Sequence, residues 1–266
     1  MASFSGPQGT FTILHFNDVY NLESGKAEPV GGAAKMSSVI TLERERCEAA
    51  GLPPPLITFG GDALNPSMCS TFFKGRQMIP ILNHIGVSVA CVGNHDLDFG
   101  IENMEFVMGE CKFPWLLANI IDKSTSKPLA HAEPTVKLDH HGIKVGFVGL
   151  AEEDWIATLG TINADSVEYE DFVACGIRHA KELRADGCDA VFAISHMREP
   201  NDVKLAEGAG AYFDAILGGH DHHYVQKTVG VGESACPVLK AGTEWRWMSK
   251  ATFTLGASGG AVGGRN

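Results

Sequence analysis

An α/β fold is predicted by the way short apolar runs, polar loops and helical patterns alternate in the N-terminal part of the chain. The apolar runs at 12–16, 56–59 and 87–92 have the length of buried strands. Polar or glycine residues follow each run, and apolar residues at helical spacing, such as Met36 and Ile40, come next. This alternation is typical of a parallel sheet whose carboxyl edge carries polar loops.

The middle of the chain changes from this pattern to a hairpin. The runs 135–138 and 144–150 flank the segment Asp139-His140-His141-Gly142, in which Asp and Gly are suited to a tight turn. We therefore predict that His140 and His141 are exposed turn residues and have no functional role.

Further strands are predicted at 190–195 and 215–217, which bracket His196 and lead into Gly219-His220-Asp221-His222. Three later apolar runs are predicted to be antiparallel strands that complete a second sheet. They are 225–231, 236–240 and 250–255. The tail 256–266 is rich in Gly, Ala and Ser, so we expect it to be flexible.

Composition and charge restrict the function classes. The 266 residues are 44% hydrophobic and 20% charged, which fits a single globular domain, here expected to span residues 1–255. The formal charge of −11 disfavours nucleic-acid polymers and anionic membrane surfaces as partners. A small anionic substrate stays compatible with this charge if bound divalent cations reverse the sign locally.

The cysteines and the N-terminus bear on location. The seven cysteines are scattered, with no CxxC spacing, and are interpreted as reduced thiols. Residues 1–10 lack the charged and apolar regions of a signal peptide, and no apolar run has the length of a membrane span. A cytoplasmic protein without a membrane partner is expected.

Side chains suited to metal binding follow several of the predicted strands, so they can converge on one rim of a sheet. Carboxylates, an amide and imidazoles are ligands for borderline divalent ions such as Mn, Fe, Zn or Co, and the absence of a thiolate argues against a structural zinc site. These residues are Asp18, Tyr20, Asp62, Asn94, His95, Asp98, His196, His220 and His222.

The order of these motifs resembles the calcineurin-like metallophosphoesterase superfamily. The matching blocks are Asn17-Asp18-Val19-Tyr20, Gly61-Asp62, Gly93-Asn94-His95-Asp96, Ser195-His196 and Gly219-His220-Asp221-His222. Within the superfamily, the segments 14–18 and 93–100 are similar to the catalytic domain of 5′-nucleotidases. The resemblance runs from about Thr10 to Leu255 and implies a four-layer α/β/β/α sandwich with two mixed sheets.

The resemblance also implies two divalent metal ions. The first ion would be held by Asp18, Asp62 and His222, and the second by Asp62, Asn94, His196 and His220. Asp62 would bridge the two ions, because a carboxylate has two oxygens and a negative charge that offsets their repulsion. Two ions about 3.5–4 Å apart can clamp the phosphoryl oxygens and share the attacking hydroxide.

The catalytic pair implied by the resemblance is His95 and Asp98. His95 would face the phosphoryl group and assist the departing alkoxide, and Asp98 would orient its imidazole and keep it protonated. The neighbouring Asp96 is predicted to stabilise the loop through hydrogen bonds and not to act in catalysis.

Tyr20 is a departure from the family, which has His where this chain has the phenol of Asp18-Val19-Tyr20. A phenol binds borderline ions poorly unless it is deprotonated. Three interpretations stay open. Tyr20 binds a harder ion as a phenolate, or it lines the site while water completes the coordination, or it marks a weak first position that fills only with substrate.

A few other residues have two readings each. Arg198 could contact a substrate phosphate or form a salt bridge with an acid such as Asp202. His15 lies inside the first strand and is predicted to be a buried, hydrogen-bonded support. Trp155, Trp245 and Trp247 could stack on a base, but packing in the core or an interface is the preferred reading.

The leading function is therefore a metal-dependent phosphoesterase that hydrolyses nucleoside monophosphates or related phosphomonoesters. A non-catalytic scaffold with the same fold, and a cyclic-nucleotide phosphodiesterase, are the alternatives. Full-length 5′-nucleotidases carry a C-terminal domain that contributes to base binding, and this domain is expected to be absent here. The tail 256–266 would then be a linker to it.

Overall fold

The computed structural model describes residues 9–256 and 261–264. Strands account for much of this part of the chain. They are β1 (Thr10–Phe16), β2 (Leu56–Phe59), β3 (Val89–Cys91), β4 (Trp115–Leu116), β5 (Ile120–Asp122), β6 (Lys127–Pro128), β7 (Thr135–His140), β8 (Ile143–Ala151), β9 (Val167–Tyr169), β10 (Ala190–His196), β11 (Ala215–Gly218), β12 (Tyr224–Val229), β13 (Cys236–Ala241), β14 (Ser249–Leu255) and β15 (Ala261–Gly264).

The α-helices lie between these strands. They are α1 (Ala33–Ala49), α2 (Met68–Phe73), α3 (Met78–Ile85), α4 (Ile101–Glu110), α5 (Phe172–Ala185) and α6 (Glu199–Ala209). None of the helices in the described ranges combines the length and apolar character needed to cross a membrane.

Two six-stranded sheets form the centre of the molecule. The first has the order β15-β14-β1-β2-β3-β4 and the second the order β12-β13-β11-β10-β8-β7. Each contains parallel and antiparallel pairs, as predicted. A small third sheet, β6-β5-β9, was not predicted, because strands of two or three residues are too short to show a periodicity.

The sheets pack face to face, and the alternation of side chains along β1 shows how. Phe11 and Ile13 point between the sheets, where they share a cluster with Phe147 and Phe192 of the second sheet. Phe16 points the other way, into a cluster with residues of α1, α3 and α4. Helices α5 and α6 cover the outer face of the second sheet. The predicted α/β/β/α sandwich is confirmed.

The prediction for β14 was partly wrong. We placed the run 250–255 in the second sheet, but β14 pairs antiparallel with β1 of the first. Threonines stabilise this pairing, because their hydroxyls meet across the two strands. Thr10 lies 2.9 Å from Thr254, and Thr12 lies 3.3 Å from Thr252, in both cases between Oγ1 atoms.

The prediction of a flexible tail was wrong for four of its residues. Ala261–Gly264 forms β15, which pairs antiparallel with β14. Without β15, β14 would be the edge of the first sheet, and the unpaired N–H and C=O groups of an edge strand attract a further strand. Residues 257–260 and 265–266 of the predicted tail lie outside the described part of the chain.

The prediction for His140 was also wrong. His140 is the last residue of β7 and is buried, with its ring edge toward Phe11, whereas His141 is exposed as predicted. Burial, and then the charge of the neighbouring His141, lowers the pKa of His140 to about 4. The prediction relied on the turn preference of the segment 139–142, but His140 still belongs to β7 and its side chain faces the core.

This buried histidine makes stability depend on pH. The folded state disfavours protonation of His140, whereas in the unfolded chain its imidazole has the ordinary pKa of about 6.5. The contribution of neutral His140 to the free energy of unfolding is therefore complete above pH 6.5. It is lost as the pH falls toward about 4, and the loss is at most about 3 kcal/mol. We expect His140→Phe to flatten the fall in unfolding free energy between neutral pH and this range, measured by urea denaturation. Parallel curves for the two proteins would contradict this.

Candidate metal centre

The candidate ligands lie at the carboxyl ends of parallel strands. β1 and β2 are parallel neighbours and lead into Asp18 and Asp62. In the second sheet, β10 ends at His196, and its parallel neighbour β11 leads into His220. The two sheets meet at this rim, where Asp62 Oδ2 is 3.3 Å from His196 Nε2. The sandwich therefore brings together residues that are far apart in the sequence.

Three of these residues have left-handed backbone conformations, which is unusual for side chains other than glycine. The φ angle is 54° at Asp18, 65° at Asp62 and 73° at His220. Such conformations cost about 1–3 kcal/mol each and persist where the surrounding structure holds them. Strain at three polar loops on one rim marks this rim as a functional site.

Four side chains form a compact group that we call the second ion position, namely Asp62, Asn94, His196 and His220. Ligand atoms of the acid and both histidines lie within 4.8 Å of one another. Asn94 Oδ1 is 3.2 Å from His196 Nε2 and 3.0 Å from His220 Nδ1. A carboxylate, an amide oxygen and two imidazoles suit a borderline divalent ion. The residues present fit a metal at this position.

Hydrogen bonds and charge orient the two histidines. His196 Nδ1 lies 2.7 Å from the Gly60 carbonyl and donates to it, so Nε2 faces the group. Burial disfavours a charged His196, but the carboxylate of Asp62 outweighs burial and raises the pKa of this ring to about 10. Burial and the charge of His196 lower the pKa of His220. A metal ion bound by these residues would supply the positive charge that the buried acids favour, in place of the ring proton.

The residues implied for the other ion, Asp18, Asp62 and His222, are called the first ion position. Asp18 Oδ1 is 3.3 Å from His222 Nε2. The Tyr20 hydroxyl lies 3.0 Å from Asp18 Oδ1, 3.1 Å from Asp62 Oδ2 and 2.9 Å from His222 Nε2. Burial, and then the charges of Asp62 and Asp18, raise the pKa of Tyr20 far above its usual value, so its phenol is neutral in this arrangement.

Asp96 anchors the loop that carries Asp62. Its Oδ2 accepts hydrogen bonds from the backbone N–H groups of Asp62 and Gly93, at 2.9 Å and 2.8 Å. Its Oδ1 accepts from the N–H groups of Ala63 and Leu64, at 2.8 Å and 3.1 Å. The predicted role of Asp96 as a loop stabiliser is confirmed.

His95 stands at the edge of the ion positions, with 39% of its side chain exposed. Its Nδ1 is 2.7 Å from Asp98 Oδ2, and its backbone N–H donates to Asp62 Oδ1 at 2.8 Å. The hydrogen bond to Asp98 raises the pKa of the His95 ring. Asn65 Nδ2 donates to the same Asp98 oxygen at 2.6 Å, which holds the carboxylate in place. The imidazole therefore has a fixed orientation.

The chain matches known proteins over most of its length. The model of the calcineurin-like phosphoesterase family matches residues 11–224. The chain belongs to this family.

The more specific relatives are nucleotide hydrolases at low identity. A probable 5′-nucleotidase of Treponema pallidum is 26% identical over 239 residues, which are 86% of this chain and 39% of the relative. A 2′,3′-cyclic-nucleotide 2′-phosphodiesterase/3′-nucleotidase of Yersinia enterocolitica is 24% identical over 232 residues, which are 79% of this chain and 35% of that protein. The chain thus spans well under half the length of these relatives.

Among solved structures, NAD nucleotidase of Haemophilus influenzae superposes with a TM-score of 0.82 at 20% sequence identity. The match covers 96% of this chain and 55% of that one. At this identity the structural match supports the fold alone, in agreement with the family match.

The salt-bridge reading of Arg198 is confirmed, but the acid that we named as its partner was wrong. Its guanidinium does form a salt bridge, but with Glu152 at 2.7 Å and Asp154 at 3.0 Å. Asp202 is unavailable to it because that acid is fully buried and pairs with Lys240 at 2.8 Å. Arg198 therefore neutralises Glu152 beside the rim, and a direct contact with a substrate phosphate stays a prediction that its present partners do not favour.

Two residues at this rim have supporting roles that the sequence analysis did not assign. Glu152 follows β8, is buried, and lies 3.5 Å from His220 Nε2, so it orients the ring whose Nδ1 faces the second ion position. Asn17 donates to Asp18 Oδ2 at 2.6 Å and to the Gly242 carbonyl at 2.7 Å. The signal for Glu152 was present, since it directly follows a strand of the second sheet, where the sequence analysis looked for site residues.

Other predictions around the site are confirmed. His15 is buried and lies 3.0 Å from Thr58 Oγ1 and 2.9 Å from the Gly218 carbonyl, so it ties the two sheets together. Trp155 and Trp245 are buried in the core as predicted, whereas Trp247 is 42% exposed, so core packing is wrong for Trp247 and its packing in an interface stays a prediction. The seven cysteines are all free thiols.

Proposed function

We propose that the chain is a metal-dependent hydrolase of phosphomonoesters, most directly nucleoside monophosphates. The observation that carries the proposal is the second ion position with the His95–Asp98 pair beside it on the same rim. The nucleotide as substrate is supported by the names of the relatives. Because the chain spans less than half of those relatives, its activity as a separate domain is part of the proposal.

The residues of the second ion position would hold a divalent ion such as Mn, Zn, Fe or Co. A bound ion there would polarise a phosphoryl oxygen and lower the pKa of a water molecule. Asp62 contributes the negative charge, and the hydrogen bond from the His95 backbone to its Oδ1 fixes the carboxylate toward the other ligands. Asp96 holds the loop on which this carboxylate lies.

His95 would act on the phosphate ester itself. With Nδ1 bound to Asp98, the remaining nitrogen Nε2 can donate to a phosphoryl oxygen or to the departing alkoxide. Its partial exposure leaves the ring accessible from solvent, as a residue that meets a substrate requires. In this assignment, Asp98 and Asn65 are positioning residues.

A cyclic-nucleotide phosphodiesterase is the second candidate. It is favoured by the Yersinia relative, whose name includes that activity. Both candidates would use the same ion and the same imidazole, and they differ in whether the substrate phosphate carries one ester bond or two. The remaining finer proposals are a cytoplasmic location, which the free cysteines favour, and a C-terminal domain in the longer relatives that would assist base binding.

Phosphate release tests the proposal. We expect the purified chain to release phosphate from nucleoside 5′-monophosphates when manganese is added and to stop when a chelator is present. Cyclic nucleotides and a simple aryl phosphate belong in the same panel, because preference for a cyclic substrate would favour the second candidate. Absence of turnover on the whole panel, from folded protein that contains the metal, would contradict the enzyme and favour a non-catalytic scaffold.

A further inference from the structure

The Tyr20 hydroxyl is in contact with all three residues of the first ion position. Its distances of 3.0 Å to Asp18 Oδ1, 3.1 Å to Asp62 Oδ2 and 2.9 Å to His222 Nε2 are those of hydrogen bonds. A hydroxyl has one proton to donate and can accept as well. It can therefore donate to one of the two carboxylates at a time and accept from the ring N–H of His222.

The first ion position also lacks the compactness of the second. In the described ranges, one group of three acid, histidine or cysteine side chains brings its ligand atoms within 4.8 Å of one another, and it consists of Asp62, His196 and His220. Asp18 and His222 are close to each other but do not form such a group with Asp62. The phenol oxygen of Tyr20 contacts both Asp62 and the Asp18–His222 pair.

Asp18 is already satisfied without an ion. Its Oδ2 accepts from Asn17 Nδ2 at 2.6 Å and from the His220 backbone N–H at 2.9 Å. Its Oδ1 faces the Tyr20 hydroxyl and the His222 ring. A fully buried carboxylate needs partners for both oxygens, and here hydrogen bonds provide them.

We propose that the Tyr20 hydroxyl takes the place of the first ion, so that the chain binds one metal ion, at the second ion position. The residues of the first ion position do not fit a second ion in the presence of this phenol. The inference concerns the number of ions and does not depend on which phosphoester is hydrolysed. Its test counts ions, so it can succeed or fail independently of any activity measurement.

Metal content tests the proposal on the unmodified chain. Protein saturated with manganese and freed of excess ion is expected to contain one manganese per chain, measured by inductively coupled plasma mass spectrometry. Electron paramagnetic resonance is expected to show the resolved hyperfine pattern of an isolated manganese ion. Two ions per chain with the spectrum of a magnetically coupled pair would overturn the proposal, and would mean that Tyr20 is a ligand or is displaced by the metal.

Substitutions at Tyr20 test whether this residue is the cause. We expect Tyr20→His, which supplies an imidazole in place of the phenol, to raise the content to two ions per chain with a coupled spectrum. Tyr20→Phe is expected to retain the ion at the second ion position. In the described part of the chain, the Tyr20 hydroxyl bonds only to residues of the first ion position, and of these only Asp62 also belongs to the second. Loss of that ion in Tyr20→Phe, or a single ion in folded Tyr20→His, would contradict the assigned role.

A matched control is available at Tyr212, which lies after α6 and contacts Lys181 through its ring. Tyr212→His adds a histidine away from both ion positions and is expected to leave the content at one ion. A second ion in this variant would show that any added histidine binds manganese, and the gain in Tyr20→His would then count against the proposal. Circular dichroism verifies that each variant is folded.

Discussion

Replacing His95 by Asn is expected to lower kcat for phosphate release by about 10²–10⁴-fold, the usual contribution of a positioned acid or base. The reason is geometric. The imidazole is held 2.7 Å from Asp98 at the edge of the second ion position, and Asn is too short to place a donor where Nε2 lies. The backbone hydrogen bond from residue 95 to Asp62 remains, so the manganese content should not change.

Three measurements separate catalysis by His95 from a structural effect. The metal content of His95→Asn should equal that of the unmodified chain. Asp98→Asn should cause a smaller loss in kcat and change its pH profile, because the imidazole remains but loses its charged partner. His84→Asn, an exposed histidine on α3, is the matched control and should retain full activity. Unchanged kcat in metal-loaded His95→Asn would contradict the assigned role.

The parts of the fold that could be predicted are those set by local pattern. β2 was predicted at its observed limits, Leu56–Phe59, because a short apolar run between polar residues is visible within a short window. The convergence of the polar loops was predictable for a related reason. Carboxyl ends of parallel strands share an edge, whichever strands are neighbours.

The features that could not be predicted depend on contacts between distant segments. His140 was misplaced because the turn signal is local, whereas its burial comes from the packing of Phe11 across the sandwich. β14 was assigned to the wrong sheet because its local apolar pattern predicts a strand but not the strand with which it pairs. The chain leaves the second sheet after β13 and returns to β1, where pairing between threonines stabilises the contact.

Tyr20 illustrates the same limit at the site. The sequence left three interpretations open, since the substitution of phenol for imidazole was visible but its position was not. The distances from its hydroxyl to Asp18, Asp62 and His222 are information that only the folded chain contains. They favour a hydrogen-bonded replacement for the ion, which was not among the three.

Lys240 is the most deeply buried charge that the sequence analysis overlooked. It lies in β13, where an apolar strand pattern gave no reason to expect an ion pair in the interior. Its Nζ is 2.8 Å from Asp202 and 2.9 Å from Asp221, and it donates to the carbonyls of Met197 and Gly219 at 2.6 Å and 2.8 Å. Those carbonyls adjoin His196 and His220, so the ammonium group ties together both histidine loops.

Lys240→Met is therefore expected to lower the free energy of unfolding by about 3–5 kcal/mol, because it leaves the buried Asp202 without a counter-charge. It should also weaken manganese binding at the second ion position, since the carbonyls beside His196 and His220 lose their shared donor. Urea denaturation and a manganese titration measure the two effects. Lys227, on the adjacent strand β12, forms a partly exposed ion pair with Glu199 of α6. Lys227→Met is therefore the matched control and should cost at most about 1 kcal/mol. Equal losses in the two variants would mean that the buried lysine contributes no more than a surface charge.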